Sequence, residues 1–323
     1  MRKAKKKKSK IPILLSFLMM VVLAVFACKY IMTSDTRLFE KYFDDEIPSV
    51  PLLKTEQHSA ISISSDKLVS PHAILVRLKD HAILMQKNSE AKIYPASLTK
   101  IMTALVAIEN LPDLQEKIKL PEPMFQELYK ANASMAGFQP GEEVRAIDLL
   151  YGVMLPSGAE CCIGLADRIA GSEQSFVKMM NQKAADLGMN NTQFENSTGL
   201  QSENHYTTVK DLSVLLSYAL ENDTFREIFT SSRHSTRSTN KHPDGITFYS
   251  TMFEELSDQN IPEGEILGGK TGYTEEAGLC LASLAKKDNQ EYILITAGAQ
   301  GNHESEQFNI TDALAVYNSL EKE

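Results

Sequence analysis

The chain has 323 residues, of which 43% are hydrophobic and 23% charged, a composition typical of a globular protein with one large domain or two small ones. Its formal net charge is -9, but the first ten residues carry seven Lys or Arg and leave about -16 for the rest. The acidic body does not supply the basic face that phosphate groups need, which excludes nucleic acid as an expected partner.

The N-terminus combines a basic segment, residues 1–10, with an apolar segment over 11–32. Within it, Ile11 to Cys28 is an uncharged run long enough to cross roughly 27 Å as a helix. Because the basic residues come first, we expect a cytoplasmic N-terminus and a body outside the cell membrane. An uncleaved anchor and a removed secretion signal both stay open. Lipid attachment at Cys28 is a third possibility, although Phe26 fits a lipoprotein cleavage box poorly.

A polar segment and a strand pair follow the apolar run. Residues 33–70 include Pro48, Pro51 and the Ser-rich stretch ISISS, which predicts a linker. The folded domain is predicted over 71–323. It begins with HAILVRL and AILMQK, two aliphatic runs on either side of a short KDH break, which are typical of a strand hairpin.

The middle of the chain is predicted to be helical and its end to be mostly strand. Apolar residues recur at three- and four-residue intervals in five segments: Ser97–Asn110, Ala146–Leu155, Ala159–Ala170, Ser175–Leu187 and Thr208–Leu220. Three later runs, EILGGKTGYT, GLCLASLAKK and EYILITAGAQ, are separated by short polar breaks and predict an antiparallel meander. A last helix, Phe308–Leu320, is expected to cover one face of that sheet.

The stretch YPASLTKIMTAL places Ser97 and Lys100 at the start of the first predicted helix. Residues three apart share a helix face, with Cβ atoms roughly 5 to 6 Å apart, so the lysine amine can reach the serine hydroxyl. The helix N-terminus adds a positive field near that hydroxyl. Ser-x-x-Lys is common by chance, however, and by itself the pair favours the simpler interpretation, a helix cap followed by a surface lysine.

Two later stretches favour the chemical interpretation. MLPSGAE puts Ser157 in a tight break between two predicted helices, and GGKTGYT puts Lys270, Thr271 and Gly272 on a predicted strand. Ser-x-x-Lys, a serine at a helix-helix break and a late Lys-Thr-Gly form, in this order, the signature of serine penicillin-recognising enzymes.

From about residue 70 to 320 the chain resembles the serine D-alanyl-D-alanine carboxypeptidases, which are low-molecular-weight penicillin-binding proteins of peptidase family S11. Besides the three motifs, the resemblance is carried by FQPGEEVRAIDLLYGVMLPSG, NTQFENSTGLQSENHYTTVKDLSVL and GGKTGYTEEAGLCLASLA. It implies a β-lactamase/transpeptidase-like α/β fold, with an antiparallel sheet flanked by helices and a mostly helical subdomain. It also implies removal of the terminal D-alanine from peptidoglycan stem peptides, without a cofactor, and acylation by β-lactam antibiotics.

The expected chemistry gives each motif residue a role. Ser97 is the expected nucleophile, and a neutral Lys100 amine would take its proton. Burial and a second cation nearby, expected to be Lys270, would lower the Lys100 pKa. Ser157 would relay a proton to the departing amine.

Substrate binding is expected on the Lys-Thr-Gly strand. Lys270 and Thr271 offer a cation and a hydroxyl for the terminal carboxylate of a peptide, and Gly272 lets the substrate approach the strand closely. The resemblance further implies an oxyanion hole made by the backbone N–H groups of Ser97 and Tyr273.

Ala159 departs from the family pattern, which usually has Asn two residues after the second serine. Losing that amide contact predicts a rate lowered by about ten- to a hundredfold. It leaves open an alternative function, a membrane-tethered wall- or penicillin-binding protein with little turnover. A β-lactamase is a further alternative, but no Glu-x-x-x-Asn pattern of that family occurs between Ser157 and Lys270.

Cysteines and histidines do not suggest a metal site. The four cysteines have neither a CxxC spacing nor the pattern of a disulfide framework, and Cys161 and Cys162 are predicted to be small buried residues. The seven histidines include no HExxH motif. Three polar residues are interpreted as loop-capping or wall-packing residues: Asn196, His205 and Tyr206.

Overall fold

The computed structural model of the chain describes residues 53–55, 62 and 64–321. The basic segment, the predicted anchor with Cys28 and most of the predicted linker lie outside these residues. Of the helices within the described ranges, none has both the length and the apolar character needed to cross a bilayer.

A central sheet organises the described part of the chain. The strands, in chain order, are β1 (Lys54–Thr55), β2 (His72–Arg77), β3 (Ala82–Lys87), β4 (Lys117–Lys119), β5 (Glu143–Arg145), β6 (Arg233–Ser235), β7 (Thr247–Tyr249), β8 (Asn260–Ile261), β9 (Gly264–Thr274), β10 (Gly278–Lys287) and β11 (Gln290–Ala299). Seven of them form the main sheet in the order β1-β3-β2-β11-β10-β9-β8, and β4-β5 and β6-β7 form two small sheets. Within the main sheet only the β1-β3 pair is parallel. The predicted hairpin and the predicted meander are both present.

The helices surround this sheet. They are α1 (Thr99–Asn110), α2 (Glu122–Lys130), α3 (Ala146–Met154), α4 (Ala159–Ala170), α5 (Glu173–Asp186), α6 (Val209–Ala219), α7 (Asp223–Phe229), α8 (Thr251–Glu255) and α9 (Phe308–Asn318). All six predicted helices are present, and each of them begins and ends within two residues of the predicted positions. The helices α2, α7 and α8 were not predicted, because they have nine residues or fewer and too few of these are apolar for a helical period to stand out, whereas the nine residues of α3 are mostly apolar.

Side chains of the central strands alternate between two hydrophobic cores, as the two-residue period of a strand requires. On β2, Ile74 and Val76 join the core shared with the helical region, whereas Ala73 and Leu75 join the core under α9. Both faces of the strand are therefore buried. Tyr317 of α9 is fully buried in the second core.

The folded unit includes residues that come before the predicted boundary at residue 71. Lys54 pairs with Ala82 in the parallel β1-β3 ladder. The Asp312 carboxylate on α9 accepts hydrogen bonds from the backbone N–H groups of Val69 and Ser70. Part of the segment predicted to be a linker is thus attached to the sheet.

Candidate active site

Ser97 and Lys100 are in direct contact. Ser97 belongs to a 3-10 turn, Ala96–Leu98, which comes just before α1, so it precedes the α-helix and does not form its first residue. Ala96 in this turn has a φ of 45°, which is rare for a residue with a Cβ atom. The Lys100 Nζ donates a hydrogen bond to Ser97 Oγ at 3.1 Å. One helical turn therefore joins the hydroxyl to the amine, as the sequence spacing predicts.

A tight turn over residues 196–200 supports this pair. The Lys100 Nζ also donates a hydrogen bond to the carbonyl oxygen of Thr198. Asn196 Oδ1 holds the turn by accepting hydrogen bonds from the backbone N–H groups of Thr198 and Gly199. Gly199 has a φ of 82°, and a Cβ atom there would lie 1.9 Å from the Ala96 carbonyl oxygen. Only glycine fits this close approach to the turn that carries Ser97.

Ser157 lies in the predicted break between two helices, α3 and α4. Its φ of 67° is in the left-handed region, which lets the chain reverse between the helices without a longer loop. Its side chain is buried, and Ser157 Oγ has no hydrogen-bond partner among the described residues. This hydroxyl is therefore free to bond a substrate in the cleft that it lines.

The wall next to Ser157 is fixed by Glu160, which sequence reasoning did not single out. The Glu160 carboxylate is fully buried, and its Oε1 accepts hydrogen bonds from the backbone N–H groups of Ala136, Gly137 and Phe138. Burial raises the pKa of Glu160, and these hydrogen bonds oppose that shift. The loop that carries Ser134 is thereby attached to the start of α4.

The Lys-Thr-Gly motif lies on β9 against the same turn. The Lys270 Nζ is fully buried and donates to the Thr271 carbonyl oxygen at 2.9 Å. Thr271 Oγ1 lies 2.6 Å from Thr251 Oγ1 of α8. A Cβ atom at Gly272 would lie 3.1 Å from the Ser97 nitrogen, so the strand and the serine turn are in van der Waals contact. The fold thus brings all three motifs to one place.

The two buried lysines affect each other's protonation. Burial lowers the pKa of Lys100, and the Glu160 carboxylate opposes that shift. Cys162 is close but stays neutral, because burial raises the pKa of its thiol to about 12. Burial and the charge of Lys100 hold the pKa of Lys270 well below the ordinary lysine value. Because repulsion between two ammonium groups is reciprocal, each charge disfavours the other, and the pair loses a proton below the usual lysine range.

The cleft has two compartments that meet at Ser97. The small compartment, of about 140 Å³, is bordered by the Pro156-Ser157 break, α8, residues 271–273 of β9 and the start of α9. The large compartment, of about 490 Å³, is bordered by residues 131–134, Ala159, the 198–201 turn and Lys100. Four residues line both: Ser97, Ser134, Tyr273 and His303. Lys270 lines neither compartment, so its amine lies behind the cleft wall.

His205 and Tyr206, which the sequence predicts to be packing residues, contact neighbouring residues of the protein. His205 Nδ1 accepts from the Glu195 backbone N–H, and His205 Nε2 lies 2.7 Å from Thr99 Oγ1. Burial and the Lys100 charge lower the pKa of His205 to about 4, so it is neutral at pH 7. The Tyr206 ring lies under the Lys92 ammonium group.

Two further groups of residues bear on chemistry outside the cleft. Cys161, Cys162 and Cys280 are buried free thiols, in line with the prediction for the first two. Within the described ranges, His, Cys, Asp and Glu side chains nowhere form a group of three or more that could hold a metal ion. A surface hollow of about 590 Å³ between the β2-β3 and β10-β11 turns contains none of the motif residues.

Ser134, Thr251 and His303 line the cleft and were not predicted from the sequence. Ser134 and Thr251 lie in stretches without a distinctive motif, 37 and 154 residues from Ser97 in the chain. His303 contacts Tyr273 edge-to-face, with ring centroids 4.9 Å apart. Only the fold brings these residues to the site.

Comparisons with known proteins agree with this geometry. The sequence profile of the D-alanyl-D-alanine carboxypeptidase family, Peptidase S11, matches residues 59–301. The chain is 33% identical to the D-alanyl-D-alanine carboxypeptidase DacF of Bacillus subtilis over 70% of this chain and 57% of that protein. It is 32% identical to DacC of Escherichia coli over 70% of this chain and 56% of that protein. It therefore spans a little over half the length of these two relatives.

Solved structures of DD-peptidases have the same fold as the described part of this chain. The Streptomyces K15 DD-transpeptidase superposes with a TM-score of 0.70 and 26% identity, over 80% of this chain and 98% of that chain. A D-alanyl-D-alanine carboxypeptidase from Mycobacterium tuberculosis has a TM-score of 0.66 at 24% identity. The predicted fold class, a DD-peptidase fold with an antiparallel sheet and flanking helices, is confirmed.

Proposed function

Because the chain belongs to the D-alanyl-D-alanine carboxypeptidase family, peptidase family S11, we propose that it removes the terminal D-alanine from peptidoglycan stem peptides through an acyl-Ser97 intermediate. The observation that carries this proposal is the 3.1 Å hydrogen bond between Lys100 Nζ and Ser97 Oγ. Ser157 and Thr271 line the cleft into which this hydroxyl opens. No cofactor takes part in the proposed reaction.

In the proposed acylation, Ser97 Oγ attacks the carbonyl carbon of the penultimate D-alanine. The neutral Lys100 amine takes the hydroxyl proton, because Lys100 is the base in direct contact with Ser97. Its burial disfavours the ammonium form and so keeps a larger fraction of the amine neutral. The backbone N–H groups of Ser97 and Tyr273 are the proposed donors to the tetrahedral oxyanion.

The leaving group is assigned to the small compartment. Ser157 Oγ lines this compartment and has no other partner, so it can pass a proton to the departing nitrogen. The Thr271 hydroxyl lines it too and can donate to the terminal carboxylate. Lys270 is buried behind the wall and donates to the Thr271 carbonyl oxygen, so its role is to hold the strand that presents Thr271 to the carboxylate. The acyl group and the stem peptide then occupy the large compartment.

Ala159 supports a second candidate function, a wall- or penicillin-binding protein with little turnover. Its methyl group lines the large compartment beside Lys100, where the family usually has an amide. An acyl-enzyme that forms slowly and hydrolyses slowly would bind wall peptides or β-lactams without useful turnover. A β-lactamase has no comparable support.

We also propose that this domain works outside the cell membrane, attached through the apolar segment Ile11–Cys28. The support is the order of the basic and apolar segments in the sequence. The substrate of the proposed reaction lies on the same side. The intact mass after expression in a bacterial host distinguishes an anchor, a cleaved signal and lipid attachment at Cys28.

The test of the function uses penicillin and a pentapeptide ending in D-Ala-D-Ala. A carboxypeptidase is expected to form a long-lived penicillin adduct on Ser97, found by peptide mass mapping, and to release D-alanine. A Ser97→Ala variant is expected to do neither, while keeping the wild-type circular dichroism spectrum. An adduct without D-alanine release favours the binding function, and rapid penicillin turnover favours a β-lactamase. Equal D-alanine release by both proteins would contradict the enzyme assignment.

A further inference from the structure

The small compartment is rich in hydrogen-bond acceptors. Two carboxylates at the end of α8, Glu254 and Glu255, line it together with the catalytic-site residues Ser97 and Thr271. Both glutamates are exposed, and neither forms a salt bridge with a described residue. Their negative charge is therefore available to a bound molecule.

Asn309 adds an unpartnered acceptor to the same compartment. It lies in the first turn of α9, is 1% exposed, and lines the compartment beside Gln307. Its Nδ2 donates to the Cys280 carbonyl oxygen, while its Oδ1 has no partner among the described residues. A buried carbonyl oxygen without a donor costs free energy, so a ligand that brings an N–H group would satisfy it.

Positive charge is scarce in this compartment. His303 is the one basic side chain among the described residues that line it. Lys270 is fully buried and engaged with the Thr271 carbonyl oxygen. A leaving group with only a carboxylate, such as D-alanine, therefore meets two uncompensated negative charges near its binding place.

We propose that the small compartment selects leaving groups that carry a free ammonium group, so that a peptide ending in D-Ala followed by a D-diamino acid is a better substrate than one ending in D-Ala-D-Ala. This inference rests on the proposed function, because it takes the small compartment as the leaving-group side. The ammonium group is recognised by Glu254 and Glu255, and Asn309 Oδ1 offers a further acceptor. The chemical class is a D-amino acid with a basic side chain.

The reaction itself is unchanged by this selection. Ser97 Oγ forms the ester while the C–N bond breaks, and the departing nitrogen takes a proton delivered through Ser157. Water then hydrolyses the ester and restores the hydroxyl. The side-chain ammonium group of the leaving residue stays protonated throughout and contributes by charge alone.

The experiment compares two peptides that differ only in the charge of the last residue. One ends in D-Ala-D-lysine and the other in D-Ala-D-norleucine, whose side chain lacks the ammonium group but has the same number of carbon atoms. We expect the lysine peptide to have a kcat/KM higher by roughly three- to tenfold, the scale of one or two exposed ion pairs. Higher ionic strength should reduce this preference, because salt screens exposed charges.

Variants assign the preference to α8. In the Glu254→Gln/Glu255→Gln double variant the ratio of the two kcat/KM values is expected to fall to about one. Glu265→Gln, which removes an exposed carboxylate of β9 that does not line the cleft, is expected to keep the wild-type ratio. A wild-type ratio of one, or a ratio that survives in the double variant, would overturn the inference.

Failure of the inference is distinguishable from failure of the proposed function. If both peptides are cleaved without preference, the function stands and the selection fails. If cleavage is too slow to measure, the two peptides are compared as competitors of penicillin acylation, and equal inhibition again contradicts the selection. If penicillin does not acylate Ser97 at all, the proposed function fails, and the selection fails with it.

Discussion

At the scale of single residues, Ala159 is the clearest difference between this chain and its family. Ala159 lines the large compartment next to Lys100, where an amide side chain is usual. Its neighbour Glu160 is one of the best-fixed side chains of the site, because three backbone N–H groups bond its Oε1. The position after the motif is thus rigid, although the motif itself lacks one polar group. An Asn side chain at position 159 would start from this fixed backbone and border the large compartment beside Lys100.

Restoring the amide is therefore expected to accelerate acylation. Ala159→Asn should raise the rate of penicillin acylation by about ten- to a hundredfold, the scale of one polar contact regained in the transition state. Stopped-flow or quenched-flow measurement of adduct formation checks this. Ala159→Leu is the matched control, because it adds similar bulk without an amide and should not accelerate the reaction. An Asn variant no faster than wild type means that the amide does not limit acylation.

His205 predicts a pH dependence of stability. Its pKa is lowered to about 4 in the folded state by burial and by the charge of Lys100. Well above its ordinary pKa of 6.5 the residue is neutral in both states and has no effect. Between pH 6.5 and about 4 only the unfolded state takes up the proton, so the free energy of unfolding falls by roughly 2 to 3 kcal/mol.

Replacing this histidine should remove that part of the acid sensitivity. His205→Gln stays neutral at every pH and is expected to lose less stability than wild type between pH 7 and pH 4.5. Urea denaturation at the two pH values measures the difference. Parallel losses in the two proteins would mean that His205 is not held neutral in the fold.

At the element scale, two short segments decide whether the catalytic pair is formed. The 196–200 turn supplies the Thr198 carbonyl oxygen to Lys100, and the 3-10 turn Ala96–Leu98 carries Ser97. The two turns touch at Gly199, where a Cβ atom would lie 1.9 Å from the Ala96 carbonyl oxygen. The position of the nucleophile therefore depends on a residue about a hundred positions away in the chain.

Alanine substitutions at two glycines can separate the effect of the Gly199 contact from that of backbone strain. Gly199 and Gly188 have similar positive φ values, 82° and 71°, but nothing lies within 4 Å of a Cβ atom at Gly188. Gly188→Ala is expected to cost about 1 kcal/mol of stability and to leave penicillin acylation unchanged. Gly199→Ala should slow acylation by at least about a hundredfold, because it displaces the turn that holds Ser97. Thermal denaturation and adduct kinetics of both variants test this, and equal acylation rates would contradict it.

At the scale of the whole molecule, the site depends on a sheet that is covered on both faces. The helical core lies on one face and α9 on the other, and the neighbours Ile74 and Leu75 point into different cores. Lys287 connects the sheet to the end of α9, because its Nζ donates to the carbonyl oxygens of Tyr317 and Leu320. The described residues, from 53 to 321, belong to one compact unit.

This arrangement predicts one cooperative unfolding transition. Ile74→Ala and Leu75→Ala are both fully buried truncations and should each cost about 2 to 5 kcal/mol. Because the two cores share β2, either variant is expected to shift the same transition to lower denaturant. Loss of penicillin acylation and loss of far-UV circular dichroism should coincide in both. Two separated transitions in either variant would mean that the cores unfold independently.

Most of the long helices and strands could be predicted from the sequence. The helices α1, α3, α4, α5, α6 and α9 have long apolar stripes, and the strands β2, β3, β9, β10 and β11 are aliphatic runs between polar breaks, so local patterns predicted them. The short strands β4 to β8 were missed, because two or three residues carry no period. The attachment of Lys54 to the sheet was also missed, since it depends on a partner strand and not on its own composition.

The sequence by itself determined the order of the chemical groups, namely Ser97 with Lys100, then Ser157, then Lys270 to Gly272, because spacing within one turn or one strand is a local property. Only the tertiary structure decided which groups meet at the cleft. Thr198, Ser134, Thr251 and Asn309 reach it through long-range packing, and Lys270 is placed behind the wall and not in the cleft. The physical reason is that burial, and with it the charge and reach of a side chain, depends on every element packed around it and on no single stretch of the chain.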